Sequence, residues 1–169
     1  MYQDYKDLLS AFLSHGVKYL VVGGFAVIHH SQPRFTKDMD LFIKADPENA
    51  RATYAALAAF GAPLHGILPE DFTDRNSFFR FGRDPKGFDI LPAIPGVDFD
   101  AAWERRVETV VDTATGLKAN FISADDLIAS KLASGRARDL ADVEDIRKAA
   151  ESQQPRPARK KQSEPNGPG

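Results

Sequence analysis

The sequence predicts an α+β domain: a mixed β-sheet with helices packed on it and a helical pair near the C-terminal end. Three observations predict it. Short apolar runs of strand length (residues 19–22, 39–44 and 88–91) are separated by segments of helical period. Two more runs, 107–111 and 117–122, flank Thr115-Gly116 and read as a hairpin. Two helical patterns, 123–134 and about 137–150, then follow each other across Gly135.

The elements follow in order. Over residues 2–15, Tyr2, Tyr5, Leu8, Leu9, Phe12 and Leu13 recur at helical spacing, and Gly16 ends the pattern. Residues 18–22 are too short and too uniformly apolar for a surface helix, so they read as a buried strand. Gly23-Gly24 then frees the backbone for a tight turn before a short apolar helix. In the strand after the connection 29–37, Asp38 and Asp40 share one face while Met39 and Leu41 point into the core. Asp46-Pro47 opens an Ala-rich helix to Phe60: an Asp cap, then Pro at the first helical position. Residues 62–76 are broken by Pro63, Gly66 and Pro69 and carry no clear period. Residues 77–81 and 88–91 form a hairpin around a turn rich in Gly and Pro. A short helix surrounds Trp103, and Ser123 caps the next one, with Asp126 where a capping box usually has Glu.

With 169 residues the chain makes one domain, 1–151, and a Pro-rich basic tail, 152–169, expected to be disordered. A net charge of −2 argues against broad charge-driven binding to nucleic acid or membrane. The absence of cysteine excludes disulfides and thiolate chemistry and fits a cytoplasmic setting. The N-terminal stretch, with Asp4 and Asp7, does not read as a signal peptide. No stretch approaches the roughly 18 apolar residues of a membrane span. Arg156, Arg159, Lys160 and Lys161 suit a solubilising end better than an RNA contact.

The chemistry lies in the carboxylates. Asp38 and Asp40 sit side by side on a strand and repel each other unless something positive joins them, and hard divalent cations prefer such oxygens. Asp89 lies inside the apolar run Phe88-Asp89-Ile90-Leu91, where an unpartnered carboxylate is costly. Together they suit an in-line displacement at phosphorus. Singly they have simpler uses: a D-x-D pair at a solvent-facing strand start, and Asp89 in a salt bridge. Gly23-Gly24 offers backbone N–H groups to phosphate oxygens at a helix start, with neither a Walker loop nor a dinucleotide fingerprint. Arg34 suits a phosphate contact and Thr36 a brace for the loop. Of His29 and His30, adjacent on a helix, one is expected packed and one exposed. His65 is isolated and reads as structural. Asp139 and Asp142 share a helix face and suit ion pairs with Arg136 or Arg138.

The ordered set VVGGFAV, PRFTKDMDLFI, FDILPAI and DLIASKLASGRARDLADVEDI resembles the minimal nucleotidyltransferases of the polymerase-beta-type superfamily. More narrowly, it resembles the short bacterial proteins related to abortive-infection toxin nucleotidyltransferases. The resemblance runs from about Tyr19 to Ile146. It implies Mg²⁺ (or Mn²⁺) held by Asp38, Asp40 and Asp89, and NTP phosphates at Gly23 and Gly24, with Lys131 reaching the triphosphate; Arg34 and Thr36, read above from their chemistry, join them as nucleotide-binding candidates. It implies transfer of an NMP from an NTP to an acceptor hydroxyl, with pyrophosphate released and Asp89 helping to activate that hydroxyl. The acceptor is a protein, an RNA or a small molecule, and some relatives act in toxin–antitoxin or defence systems, where a cognate antitoxin is the partner. Many catalytic members carry Gly-Ser where this chain carries Gly-Gly. The competing expectation is a non-catalytic nucleotide-binding or partner-binding module on the same fold.

Overall fold

The computed structural model describes residues 1–155, so the basic tail residues from Arg156 onward lie outside the described residues. Six strands form one sheet in the order β3-β4-β2-β1-β6-β5. They are β1 (Tyr19–Val22), β2 (Met39–Ile43), β3 (Phe79–Phe81), β4 (Phe88–Leu91), β5 (Val107–Asp112) and β6 (Leu117–Phe121). The helices are α1 (Gln3–Ser14), α2 (Gly23–His30), α3 (Pro47–Phe60), α4 (Phe99–Glu104), α5 (Ala124–Ser134) and α6 (Ala137–Ser152). The sheet is mixed: β1 runs antiparallel to β2 and parallel to β6, and β2 runs parallel to β4.

Alternation along β2 sets what the sheet can do. Met39, Leu41 and Ile43 are fully buried. Asp40 and Phe42 point the other way, and Phe42 meets Phe99 of α4 edge-on at 5.0 Å. One face is therefore sealed, while the start of the other stays open for a carboxylate. Register carries this across the sheet. Val22 pairs with Asp40, Asp40 with Asp89, and Asp89 with Arg80, which lines up Arg80, Asp89 and Asp40 on three adjacent strands.

Local chemistry fixes the ends. The Asp46 carboxylate accepts the Asn49 N–H at 2.7 Å, Pro47 follows, and Gly61 closes α3 at φ 94°, where an L-residue is strained. Asn49 is buried, and its amide accepts from Lys18 N–H and donates to the Lys18 and Lys44 carbonyls, tying the start of β1 to the end of β2. Ser123 caps α5 as expected, but Asp126 does not reach back to the Ser123 backbone. It accepts the Ser123 hydroxyl at 2.9 Å and a two-pronged Arg105 at 3.0 and 2.7 Å.

Several expectations need correction. Tyr2 and Leu13 stand on the exposed edge of the α1 face. β3 begins at Phe79 rather than Ser77, because the Asp74 carboxylate holds the Asn76 N–H and the Ser77 hydroxyl in a turn. The unreadable stretch 62–76 contains a 3-10 turn, Pro69–Thr73, that buries Phe72 against Phe79. Among the described residues, no helix is long and apolar enough to cross a membrane.

Candidate active site

The open end of the sheet meets α2, α5, α6 and the loop before β2 around a cavity of about 610 Å³. Asp38, Asp40, Asp89, Gly23, Gly24, Arg34, Thr36 and Lys131 all line it. The glycine pair is shaped by its neighbours. Gly23 has φ 63°, and a Cβ built there would lie 2.0 Å from Asp40 Oδ2. At Gly24 a Cβ would lie 2.3 Å from Thr36 Oγ1. Both glycines are thus required by contact, which lets the α2 N-terminus approach the carboxylate and the Thr36 loop. That N-terminus carries backbone N–H groups without intrahelical acceptors.

Asp38 is placed by a residue whose spacing in the sequence marks it only as core. The buried Tyr5 hydroxyl lies 2.9 Å from Lys37 O, 3.2 Å from Pro85 O and 2.8 Å from Gly87 O. It pins the loop before Asp38 to the β3–β4 turn. Burial first, and the Asp38 charge next, push the Tyr5 phenol up to about 12.

Arg80 is a site residue that the sequence motifs do not single out. Its Nε and Nη2 donate to the two oxygens of Asp89 at 2.9 and 3.0 Å. The signal lies in the hairpin: counting outward from the turn pairs Phe81 with Phe88, and so Arg80 with Asp89. Asp40 has no such partner. Burial, then the neighbouring Asp89 carboxylate and Asp38, push Asp40 up to about 7, with Arg80 pulling the other way.

The other side of the cavity is an ion-pair network. Lys131 donates to Asp142 at 2.8 Å and to Asp139 at 3.4 Å. Arg136 donates to Asp139 at 2.8 Å, and Arg34 pairs with Asp142. Asp139 and Asp142 are buried; burial works to raise both pKa values, but these cations hold them below the usual carboxylate range. Arg34 and Lys131 therefore bind α5, α6 and the Thr36 loop together, besides facing the cavity. Among the described residues Arg138 is the one lining cation in no ion pair. Phe35, 79% exposed, stands at the cavity wall.

The expected histidine split is not found. Both are half-buried: the His29 ring stacks on Phe121 at 4.5 Å, and His30 Nε2 lies 2.7 Å from Ile122 O. Burial, then His30, lowers the His29 pKa. His65 is exposed.

The carboxylates allow a test of fit for a divalent cation. Asp38 and Asp40 offer hard oxygen donors, and Asp40 is half-buried beside negative charge with no cation bonded to it. Asp89 is committed to Arg80, and among the described residues no group of three or more acidic or histidine side chains is arranged to hold an ion. Of the three carboxylates in the ligand set that the sequence resemblance implies, Asp89 is the one that also bonds a cation, Arg80. The donor chemistry fits a hard cation at Asp38 and Asp40.

With that geometry in view, one comparison decides the class. The family model described as a nucleotidyltransferase of unknown function (DUF6036) matches residues 4–151. The chain belongs to this nucleotidyltransferase family. Its fold is also that of a solved antibiotic-modifying enzyme, the lincosamide antibiotic adenylyltransferase LnuA in its lincomycin-bound form. The two share 16% sequence identity at a TM-score of 0.55, over 88% of this chain and 98% of that one. No curated protein sequence matches the chain. The protein is thus a nucleotidyltransferase with an α+β fold built on a six-stranded mixed sheet.

Proposed function

We propose that this nucleotidyltransferase moves a nucleoside monophosphate from an NTP to an acceptor hydroxyl and releases pyrophosphate. The observation that carries the reading is the contact of Gly23 with Asp40, which brings the α2 N-terminus and the acidic pair to one cavity wall. The α2 backbone N–H groups hold phosphate oxygens, and Arg138 adds a charge not already committed. Lys131 and Arg34 keep the opposite wall electropositive despite Asp139 and Asp142. Phe35 offers its ring to the nucleobase. Asp89 receives the acceptor proton on a lone pair that Arg80 leaves open. Mg²⁺ or Mn²⁺, held by Asp38 and Asp40, supplies neutralisation of phosphate charge when bound. The solved lincosamide adenylyltransferase supports AMP as the group moved and a small molecule as the acceptor.

The test is pyrophosphate release and transfer of label from α-labelled NTPs, wild type against Asp40→Asn, with and without Mg²⁺. Wild type should release pyrophosphate and the variant should not. Tight NTP binding with no release under any condition would convert the protein into a binding module on an enzyme scaffold.

A further inference from the structure

A second cleft, of about 360 Å³, adjoins the first and extends past Asp40 and Asp89 toward the loop after β4. It shares Gly23, Asp40, Asp89, Lys131, Arg136 and Asp139 with the first cavity, so the two are continuous across these residues. Its other lining is different in kind. Leu91, Ile94, Pro95 and Leu127 are apolar, and Ser130 and Ser134 supply hydroxyls from α5. Lys131 and Arg136 border it, but both are already bonded to Asp139. The walls are held in place: a Cβ on Gly96 would lie 2.7 Å from Ala133 Cβ, so the loop after β4 is seated directly on α5.

In-line displacement requires the attacking oxygen to approach opposite the leaving one. With pyrophosphate leaving toward the cations that line the first cavity alone, Arg34 and Arg138 among them, the attack comes from the end of the second cleft that the first does not share. We infer that this cleft is the acceptor site and that the acceptor is a small hydroxyl compound with an apolar face. This rests on the nucleotidyl-transfer reading above. Three properties select the acceptor class. The volume is that of small-molecule pockets. Beyond the residues shared with the first cavity the walls are apolar, with two hydroxyls to orient a polar edge. The described lining that belongs to this cleft alone carries no charge, which suits neither RNA phosphates nor an acidic peptide. In the transfer step the acceptor oxygen bonds to the α-phosphorus as the bond to the pyrophosphate oxygen breaks. The acceptor proton passes to Asp89, and pyrophosphate leaves.

The experiment uses the full chain with Mg²⁺ and α-³²P-labelled ATP. Extract of the source cells is divided into a small-molecule filtrate and a macromolecular fraction. Wild type, Ser134→Trp and Ser130→Phe are compared, with ATP affinity measured on each by calorimetry. Ser134 is exposed at the rim, so its variant keeps the test valid if Ser130→Phe does not fold. Label should enter the filtrate, and filling the cleft should cut that transfer at least tenfold with ATP affinity changed less than twofold. Label confined to protein or RNA overturns the inference. So does wild-type transfer by a folded variant, or ATP binding without any labelled filtrate product. A parallel fall in ATP affinity also overturns it and assigns the cleft to the nucleoside. A wild type that neither binds ATP nor releases pyrophosphate defeats the nucleotidyl-transfer reading itself, a different result from all of these.

Discussion

Replacing Gly23 with alanine separates two costs that this glycine avoids. The first is backbone strain: at φ 63° an L-residue costs about 1–2 kcal/mol. The second is overlap. The new Cβ would sit 2.0 Å from Asp40 Oδ2 and 2.9 Å from Asp40 Cγ, where ordinary contact begins near 3.4 Å. Turning the carboxylate into the cavity relieves the Oδ2 contact but not the 3.1 Å approach to Asp40 Cβ, so overpacking adds about 1–3 kcal/mol. Gly23→Ala should therefore lose about 2–5 kcal/mol in urea unfolding, the sum of the strain and overlap ranges. Gly16 provides the control. It has nearly the same φ, 65°, with nothing within 4 Å of where a Cβ would stand, so Gly16→Ala should lose the strain alone. Combining Gly23→Ala with Asp40→Ala removes the overlap and should return much of the difference, as a double-mutant cycle measures. Calorimetry with Mg-ATP should show binding lost in Gly23→Ala and intact in Gly16→Ala. Equal stability and equal ATP affinity of the two single variants would refute the claim that Gly23 seats the carboxylate.

Other substitutions probe the rest of the site. Tyr5→Phe removes the hydroxyl that lies between the Lys37, Pro85 and Gly87 carbonyls, although Gly87 O keeps the Met39 N–H. It should lower stability by about 1–3 kcal/mol and weaken ATP binding through the displaced Asp38. Arg138→Ala should weaken ATP binding about tenfold or more at unchanged urea midpoint, the loss of one charge-assisted contact. Phe35→Ala should weaken ATP binding by about 1–3 kcal/mol of stacking and leave inorganic tripolyphosphate affinity unchanged, by calorimetry on both. Acid should unfold the protein through Asp126, Asp139 and Asp142. Their folded pKa values are depressed, so their stabilisation is complete above the unfolded value of about 3.9 and is lost as pH falls through the folded values. The urea midpoint should drop as pH falls below about 4, less steeply in Asp126→Asn.

Much of the frame is legible in the sequence because it depends on local patterns. Buried strands show as short apolar runs, α3 by its Asp-Pro start and Gly61 stop, and α5 by Ser123. Asp38 and Asp40 share a face because strands alternate. What escapes is register and long-range pairing. Nothing local to Arg80 says that it forks onto Asp89, although the hairpin turn fixes that pairing in advance. Tyr5 reads as one more apolar helix residue, yet its hydroxyl meets carbonyls more than 30 positions away in the chain. Arg34 reads as a phosphate contact, and its bond to Asp142 spans 108 positions. The stretch 62–76 stays opaque because a 3-10 turn has too few residues to show a period.

By itself the sequence determined the α+β class, the order of the elements, the glycine turn and the three acidic candidates. Each follows from periodicity or backbone stereochemistry, which act between near neighbours. Only the tertiary structure decided how the charges are balanced: Arg80 on Asp89, three cations on Asp139 and Asp142, and Asp40 left without a cation of its own. Charge balance depends on distance in space, and folding sets that distance through strand register and helix packing.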